Sequence, residues 1–111
     1  MPNQLALDRT FHALGDHTRR AVVRRLSRGE AAVSELRRPF RMALPSFLQH
    51  LDVLEQSGLV RSKKRGRVRT YRLVPGRLEA AEGWLSAART QWEERLDRLD
   101  AYVLELKKGA K

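Results

Sequence analysis

Residues 34–58, SELRRPFRMALPSFLQHLDVLEQSG, predict two helices joined by a tight turn. Ser34 can cap a short first helix, and Pro39 near its end prevents that helix from continuing far. Pro45 suits the first position of the second helix, where its missing N–H has no partner to lose. Gly58 suits the end of that helix. The stretch therefore predicts a helix-turn-helix unit.

The second helix of this unit has one apolar side. Phe47, Leu51 and Leu54 recur at steps of three and four, so they share a face. His50 lies at the edge of that face. The opposite face carries Pro45, Ser46, Gln49 and Asp52. We expect the apolar face to pack on the core and the polar face to point outward.

A strongly basic hairpin follows the helix-turn-helix. Residues 59–64 and 68–74 alternate well enough to predict two strands, with the turn at residues 65–67. Tyr71 is expected to pack inward with Leu73. Seven cations fall within twelve residues: Arg61, Lys63, Lys64, Arg65, Arg67, Arg69 and Arg72.

Helices are also predicted before and after this central part. Residues 4–14 form one, and Asp16 is a good N-cap for the next. Pro75-Gly76 is expected to break the chain, and residues 78–107 form one long helix. A continuous apolar stripe runs along that helix: Leu78, Ala81, Leu85, Ala88, Trp92, Leu96, Leu99, Val103 and Leu106.

These elements predict a mainly α fold with a small β-hairpin, a winged helix-turn-helix with a long C-terminal dimerisation helix. Residues 1–76 would form the DNA-binding domain, whose helix within residues 1–14 also joins the dimer interface. Residues 77–107 would form the dimerisation helix and residues 108–111 a tail.

The charge of the chain is segregated. The net charge is +10, and residues 1–76 hold 16 Lys and Arg against 6 Asp and Glu, whereas residues 77–111 hold 7 of each. A basic part joined to a neutral part indicates a polyanion-binding module, although a surface charged only for solubility is the simpler alternative. There is no cysteine, signal peptide or long apolar run, so we expect a cytoplasmic protein without disulfides or thiolate metal sites. No residue pattern indicates an enzyme or a cofactor.

A helix-turn-helix beside a basic hairpin indicates binding to double-stranded DNA, because a helix fits the major groove and cations meet phosphates. Gln49 could pair with adenine or be a plain exposed residue, whereas His50 is more readily explained as structural, bonded to a backbone group. Leu44 and Pro45 could touch a thymine methyl or only shape the helix. The predicted DNA-binding set is Arg37, Arg38, Arg41, Leu44, Pro45, Ser46, Gln49, His50, Lys63, Arg65, Arg67 and Arg69.

The sequence resembles the ArsR/SmtB family of winged-helix repressors from about Leu7 to Leu106. The resemblance is carried by FHALGDHTRRAVVRRLSRGE at residues 11–30, MALPSFLQHLDVLEQSGLV at residues 42–60 and RGRVRTYRL at residues 65–73. It departs from many members at residues 43–44 and 48–49, so base contacts are not transferred there. Residues 39–40 and 44–45 resemble a subgroup without metal-sensing residues.

The resemblance implies a homodimer formed by the first and last helices, which represses a promoter, or its own operon, at an imperfect palindrome. The corresponding interface residues are Leu7, Phe11, Leu85, Ala88, Trp92, Leu96, Leu99 and Val103. Trp84 and Trp92 are better explained as core than as a ligand pocket, and nothing identifies an inducer. A protein-interaction module and a non-specific nucleic-acid binder remain the alternatives.

Overall fold

Five helices and a small three-stranded sheet make up residues 2–109, the part that the computed structural model describes, with side chains from residue 4 onward. The elements in chain order are α1 (Pro2–Leu14), α2 (His17–Leu26), β1 (Ala31–Ala32), α3 (Val33–Arg37), α4 (Leu44–Gln56), β2 (Val60–Arg65), β3 (Val68–Leu73) and α5 (Pro75–Gly109). The predicted mainly helical class is confirmed.

One apolar cluster joins the helix-turn-helix to the sheet. Phe47, Leu51 and Leu54 of α4 have no exposed surface, as their spacing predicts. They pack in one cluster with Val22 and Leu26 of α2, with Leu36 of α3, and with Leu59, Val60 and Tyr71 of the hairpin. The inward position of Tyr71 is therefore confirmed. Burial of these side chains fixes which face of α4 remains on the surface.

Hydrogen bonds define the start of α2 and the end of α4. The Asp16 carboxylate accepts a hydrogen bond from the Arg19 backbone N–H at 3.1 Å, which confirms Asp16 as the N-cap of α2. At the end of α4, the N–H of Gly58 donates to Glu55 O and the N–H of Leu59 donates to Leu54 O. This pair of bonds is a Schellman motif, and Gly58 takes the positive φ of +84° that the motif requires.

The sheet contains one strand that the sequence does not predict. β1 pairs antiparallel with β3, with Ala31 opposite Tyr71, so the strand order is β1-β3-β2. Two consecutive alanines show no alternation of apolar and polar residues, so the sequence does not predict this strand. The β2–β3 turn consists of Gly66 and Arg67; a positive φ at Gly66 and none at Arg67 is the type II′ arrangement.

Several predicted boundaries are wrong. The hairpin turn is shorter than the predicted residues 65–67, because Arg65 still pairs with Val68 in the sheet. Ser34 lies inside α3 and does not cap it; the N-cap is Ala32, whose N–H donates to the Glu35 carboxylate at 3.2 Å. Because Ala32 is still paired with Thr70 in the sheet, the strand ends directly at the start of α3, before the chain reaches Ser34. Helix α4 begins at Leu44, so Pro45 is its second residue, still within the first turn where N–H groups lack helical partners. Pro75 does not break the chain but begins α5, because proline is tolerated in a first turn.

The chain divides into two compact units between Ala81 and Glu82. In the first unit, Leu78 packs against the core and Ala81 is buried. The second unit is a single helix, which cannot bury an apolar stripe against itself. Trp84 and Trp92 are 53% and 58% exposed, so the expectation that they belong to the core is wrong for one chain.

We expect Gly58→Ala to lower the free energy of unfolding by about 1–2 kcal/mol, because a left-handed backbone is unfavourable for an L side chain. A Cβ there would also lie 2.8 Å from Arg77 Nε. Urea denaturation at fixed protein concentration measures the change. Gly83→Ala is the control: Gly83 is helical with open space around its Cβ, so alanine should raise stability slightly. Equal effects at both glycines would contradict this account.

Candidate nucleic-acid interface

The N-terminal half of α4 presents a polar exposed face. Ser46 and Gln49 are exposed on the side of α4 away from Phe47 and Leu51, as the periodicity predicts. Pro45 and Leu44 are exposed beside them. Arg41 is exposed in the preceding turn. The structure thus brings Arg41, Leu44, Pro45, Ser46 and Gln49 together on one surface.

Two side chains, Arg37 of α3 and Phe40, hold the turn that leads into α4. Arg37 is half-buried, and its Nε donates to Met42 O at 3.0 Å across the turn. The rings of Phe40 and Phe47 lie 5.7 Å apart between centroids, which anchors the turn to the core. Arg37 therefore supports the turn, whereas Arg38 is exposed.

His50 has a structural partner, but not the expected one. Its half-buried ring has Nδ1 at 3.0 Å from Arg19 Nη1, a side chain rather than a backbone group, and at 3.8 Å from Asp16 Oδ2. Burial raises the pKa of the Asp16 carboxyl, but the Arg19 backbone N–H and the nearby His50 and Arg19 side chains outweigh it. The pKa of Asp16 therefore lies below its ordinary value. This cluster joins the start of α2 to α4.

The outer face of the hairpin is lined with cations. In the register of β2 and β3, Arg61 lies opposite Arg72 on this face, whereas Lys64 and Arg69, which are also opposite each other, fall on the inner face by strand alternation. Arg61, Lys63, Arg65 and Arg72 line one shallow cavity of about 270 Å³, with Glu30 as its acidic residue. Like charges directly opposite each other destabilise a sheet. Their presence here indicates a surface made for an external anion.

The inner face of the hairpin is bound to the C-terminal half of α4. The Glu55 carboxylate accepts from the Ser62 N–H at 3.1 Å and from the Ser62 hydroxyl at 2.8 Å. Arg69 Nη1 donates to the same hydroxyl at 2.8 Å. Burial and the Glu55 charge raise the pKa of Tyr71 above its ordinary value, although Ser62 and Arg69 oppose them. Arg69 is thus exposed but tied to this network, and Lys63, Arg65 and Arg67 are exposed as well.

The predicted DNA-binding set omits Arg61 and Arg72, although both are among the seven hairpin cations, and sequence reasoning missed the contacts of Arg19 and Glu55. Arg61 and Arg72 share the outer face with Lys63 and Arg65, and strand alternation through residues 61, 63 and 65 would have found it. Arg19 and Glu55 act through partners 31 and 7 residues away, and no local pattern reveals such pairs.

Between residues 2 and 109, no group of three or more His, Asp or Glu side chains is placed to hold a metal ion. Over the same range, no helix is both long and apolar enough to cross a bilayer.

A helix pair with a buried apolar side, followed by a basic hairpin, defines a winged helix-turn-helix protein. A family model described as a helix-turn-helix domain matches residues 14–63. The crystal structure of the ArsR family transcriptional regulator RHA00566 shares 52% sequence identity with this chain. The match has a TM-score of 0.76 and covers 84% of this chain and 94% of that one.

Two curated proteins are also similar. The HTH-type transcriptional regulator Rv2034 of Mycobacterium tuberculosis is 45% identical over 73 residues, which is 66% of this chain and 68% of that protein. The transcriptional repressor SdpR of Bacillus subtilis is 25% identical over 79 residues, 71% of this chain and 88% of that protein. The chain belongs to the ArsR family of transcriptional regulators.

The contact between α4 and the hairpin predicts a change in a tyrosine titration. Glu55→Gln removes the carboxylate that helps to raise the pKa of Tyr71, so the Tyr71 phenol should ionise at lower pH. Phenolate absorbance in a Tyr102→Phe background reports Tyr71 alone, since the chain has two tyrosines. Asp52→Asn, which removes a weaker charge on the same group, should give a smaller shift. An unchanged midpoint in Glu55→Gln would place Glu55 away from the hairpin.

Proposed function

We propose that the protein binds double-stranded DNA sequence-specifically as a homodimer and represses transcription by occupying a promoter. The observation that carries the proposal is the exposed polar face of α4 beside a hairpin face lined with cations. A helix with one apolar face buried in the core and a polar face on the surface can enter a major groove. The cations then lie where phosphates run alongside.

Within α4, we assign base contact first to Gln49. Its amide can donate and accept at once, as an adenine edge requires. Ser46 is assigned to a phosphate, and Leu44 and Pro45 to the shape of the helix start. His50 is assigned to structure, because its ring nitrogen already contacts Arg19.

Phosphate contact is assigned to the exposed cations around α4 and on the hairpin, here called the wing (residues 60–73). Arg38 and Arg41 flank α4, and Arg37 contributes mainly through the turn that it holds. On the wing, a phosphate between Arg61 and Arg72 would relieve their repulsion. The assigned wing cations are Arg61, Lys63, Arg65, Arg67 and Arg72, with Arg69 as a weaker member.

The homodimer is supported by the second unit. Leu85, Trp92, Leu96, Leu99 and Val103 of the predicted stripe are 40–58% exposed, and Ala88 is half-buried between them. A helix with such a stripe needs a partner surface. A second copy offers the same stripe, which is how a two-fold interface is built. Leu7 and Phe11 of α1 are half-buried and are assigned to the same interface.

Repression is supported by the likeness to SdpR, which is a transcriptional repressor by name. A repressor of this kind acts by binding and needs no catalytic group, so we propose that the protein is not an enzyme. The proposal places it in the cytoplasm with the chromosome. Two α4 helices related by a two-fold axis would enter major grooves about 34 Å apart, which favours an imperfect palindrome.

The roles of α4 and the wing are separable by two variants. A binding sequence is first selected from random duplexes, and affinity is then measured over a range of salt concentrations. Arg65→Ala with Arg67→Ala should weaken all duplexes alike and reduce the salt slope by about 2 per wing, or about 4 for a dimer whose two wings both contact phosphate. Gln49→Ala should instead reduce discrimination at one base pair by about 1–3 kcal/mol with little change in slope. Unchanged discrimination would remove Gln49 from the reading set, and equal wild-type binding to all duplexes would favour a non-specific binder.

The stripe of α5 is tested by a charge placed within it. Leu99→Glu should convert the proposed dimer into a monomer of 12.8 kDa, because a buried carboxylate is unfavourable in an apolar interface. Light scattering after size exclusion measures the mass. Thr90→Glu places the same charge on the opposite side of the helix, where Thr90 is exposed, and should leave the dimer intact. A monomeric wild-type protein would favour a protein-interaction module.

A further inference from the structure

Arg19 connects three helices. It lies in the first turn of α2, and its Nε donates to Ala13 O at 2.7 Å, while Nη2 donates to His12 O at 3.3 Å. These carbonyls belong to the last turn of α1, where a cation also complements the helix dipole. The remaining nitrogen, Nη1, lies 3.0 Å from His50 Nδ1 on α4. One guanidinium thus bonds to α1 and α4 at the same time.

We infer that Arg19 is a positioning residue that sets the orientation of α4 relative to α1, and that His50 makes this coupling sensitive to pH. The inference rests on the proposed DNA binding, because its consequence is a change in how well α4 reads bases. Arg19 and His50 touch no DNA in this account; they act through the placement of the residues that do.

The sensitivity to pH follows from hydrogen-bond chemistry. A guanidinium only donates, so His50 Nδ1 must be the acceptor and must carry no proton. When the ring is protonated, Nδ1 becomes a donor and faces a cation instead of a partner. The Asp16 carboxylate, 3.8 Å from the same nitrogen, is then the attractive group. Among the described residues, Asp16 and Arg19 are the charged side chains whose contacts reach the His50 ring.

The two contacts are alternatives for one nitrogen. In the neutral ring, Nδ1 holds α4 to Arg19 and through it to the end of α1. In the protonated ring, the ion pair with Asp16 draws His50 toward the N-cap of α2. Helix α4 carries Gln49 next to His50, so a shift of the His50 backbone displaces the residue assigned to base contact.

The experiment measures discrimination, the ratio of affinities for the selected duplex and for a random one, between about pH 8 and pH 5.5. Taking a ratio cancels the general gain in affinity from added positive charge. Wild-type discrimination should fall at the acidic end, by at most the roughly tenfold to hundredfold that one charge-assisted hydrogen bond is worth. His50→Asn retains an acceptor near the position of Nδ1 but does not titrate, so its discrimination should stay level.

Arg19→Lys keeps the charge, but its single nitrogen cannot occupy the positions of Nε, Nη1 and Nη2 at once, so discrimination should be low at every pH. Arg20→Lys is the matched control, because Arg20 Nη1 donates to Leu14 O at 2.8 Å. Arg20 therefore caps α1 in the same way but does not reach α4. If Arg19→Lys fails to fold, the comparison of wild-type protein with His50→Asn still tests whether the contact between His50 and Arg19 controls discrimination.

The possible failures are distinguishable. Absence of discrimination in the wild-type protein at pH 8 would overturn the proposed DNA reading itself. Normal discrimination at pH 8 with the same pH profile in wild type and His50→Asn would overturn the role of His50 alone. Equal losses in Arg19→Lys and Arg20→Lys would reduce Arg19 to a cap of α1.

Discussion

Burial of one side of α4 is the constraint on which the rest of the structure depends. Phe47, Leu51 and Leu54 lose all contact with water, and full burial of such a side chain is worth about 1.5–3 kcal/mol. A rotation of α4 that exposed them would therefore be strongly unfavourable. Because the helix cannot rotate about its own axis, the choice of its outward face is set by residues that never reach the surface; the proposed role of Arg19 concerns only the placement of α4 relative to α1.

Apolar packing fixes the rotation of α4, and polar contacts hold its two halves against neighbours. Near the middle, His50 meets Arg19 of α2. Near the end, Glu55 holds Ser62 of the wing. The first contact ties α4 to α1, and the second ties it to the wing. A helix held in this way presents its outer face and the wing cations as one surface, which is what recognition of a single duplex requires.

Much of this arrangement could be predicted from the sequence, since it follows from local rules. Steps of three and four revealed the faces of α4, Gly58 revealed its end, and Asp16 revealed the start of α2. Strand β1 could not be predicted, because Ala31 and Ala32 are defined only by pairing with β3. The contacts of Arg19 and Glu55 depend on tertiary proximity. The two tryptophans show a different limit: periodicity identifies an apolar face, but not whether it is covered by the same chain or by another.

The like-charged pairs across β2 and β3 make the wing a locally frustrated element. The rest of the first unit is held by apolar packing, whereas the tip of the hairpin folds against repulsion between Lys64 and Arg69. Amide hydrogens at the tip will therefore exchange faster than those of the core strands near Tyr71. In the proposed complex with DNA, phosphates beside the tip would weaken this repulsion and slow the exchange.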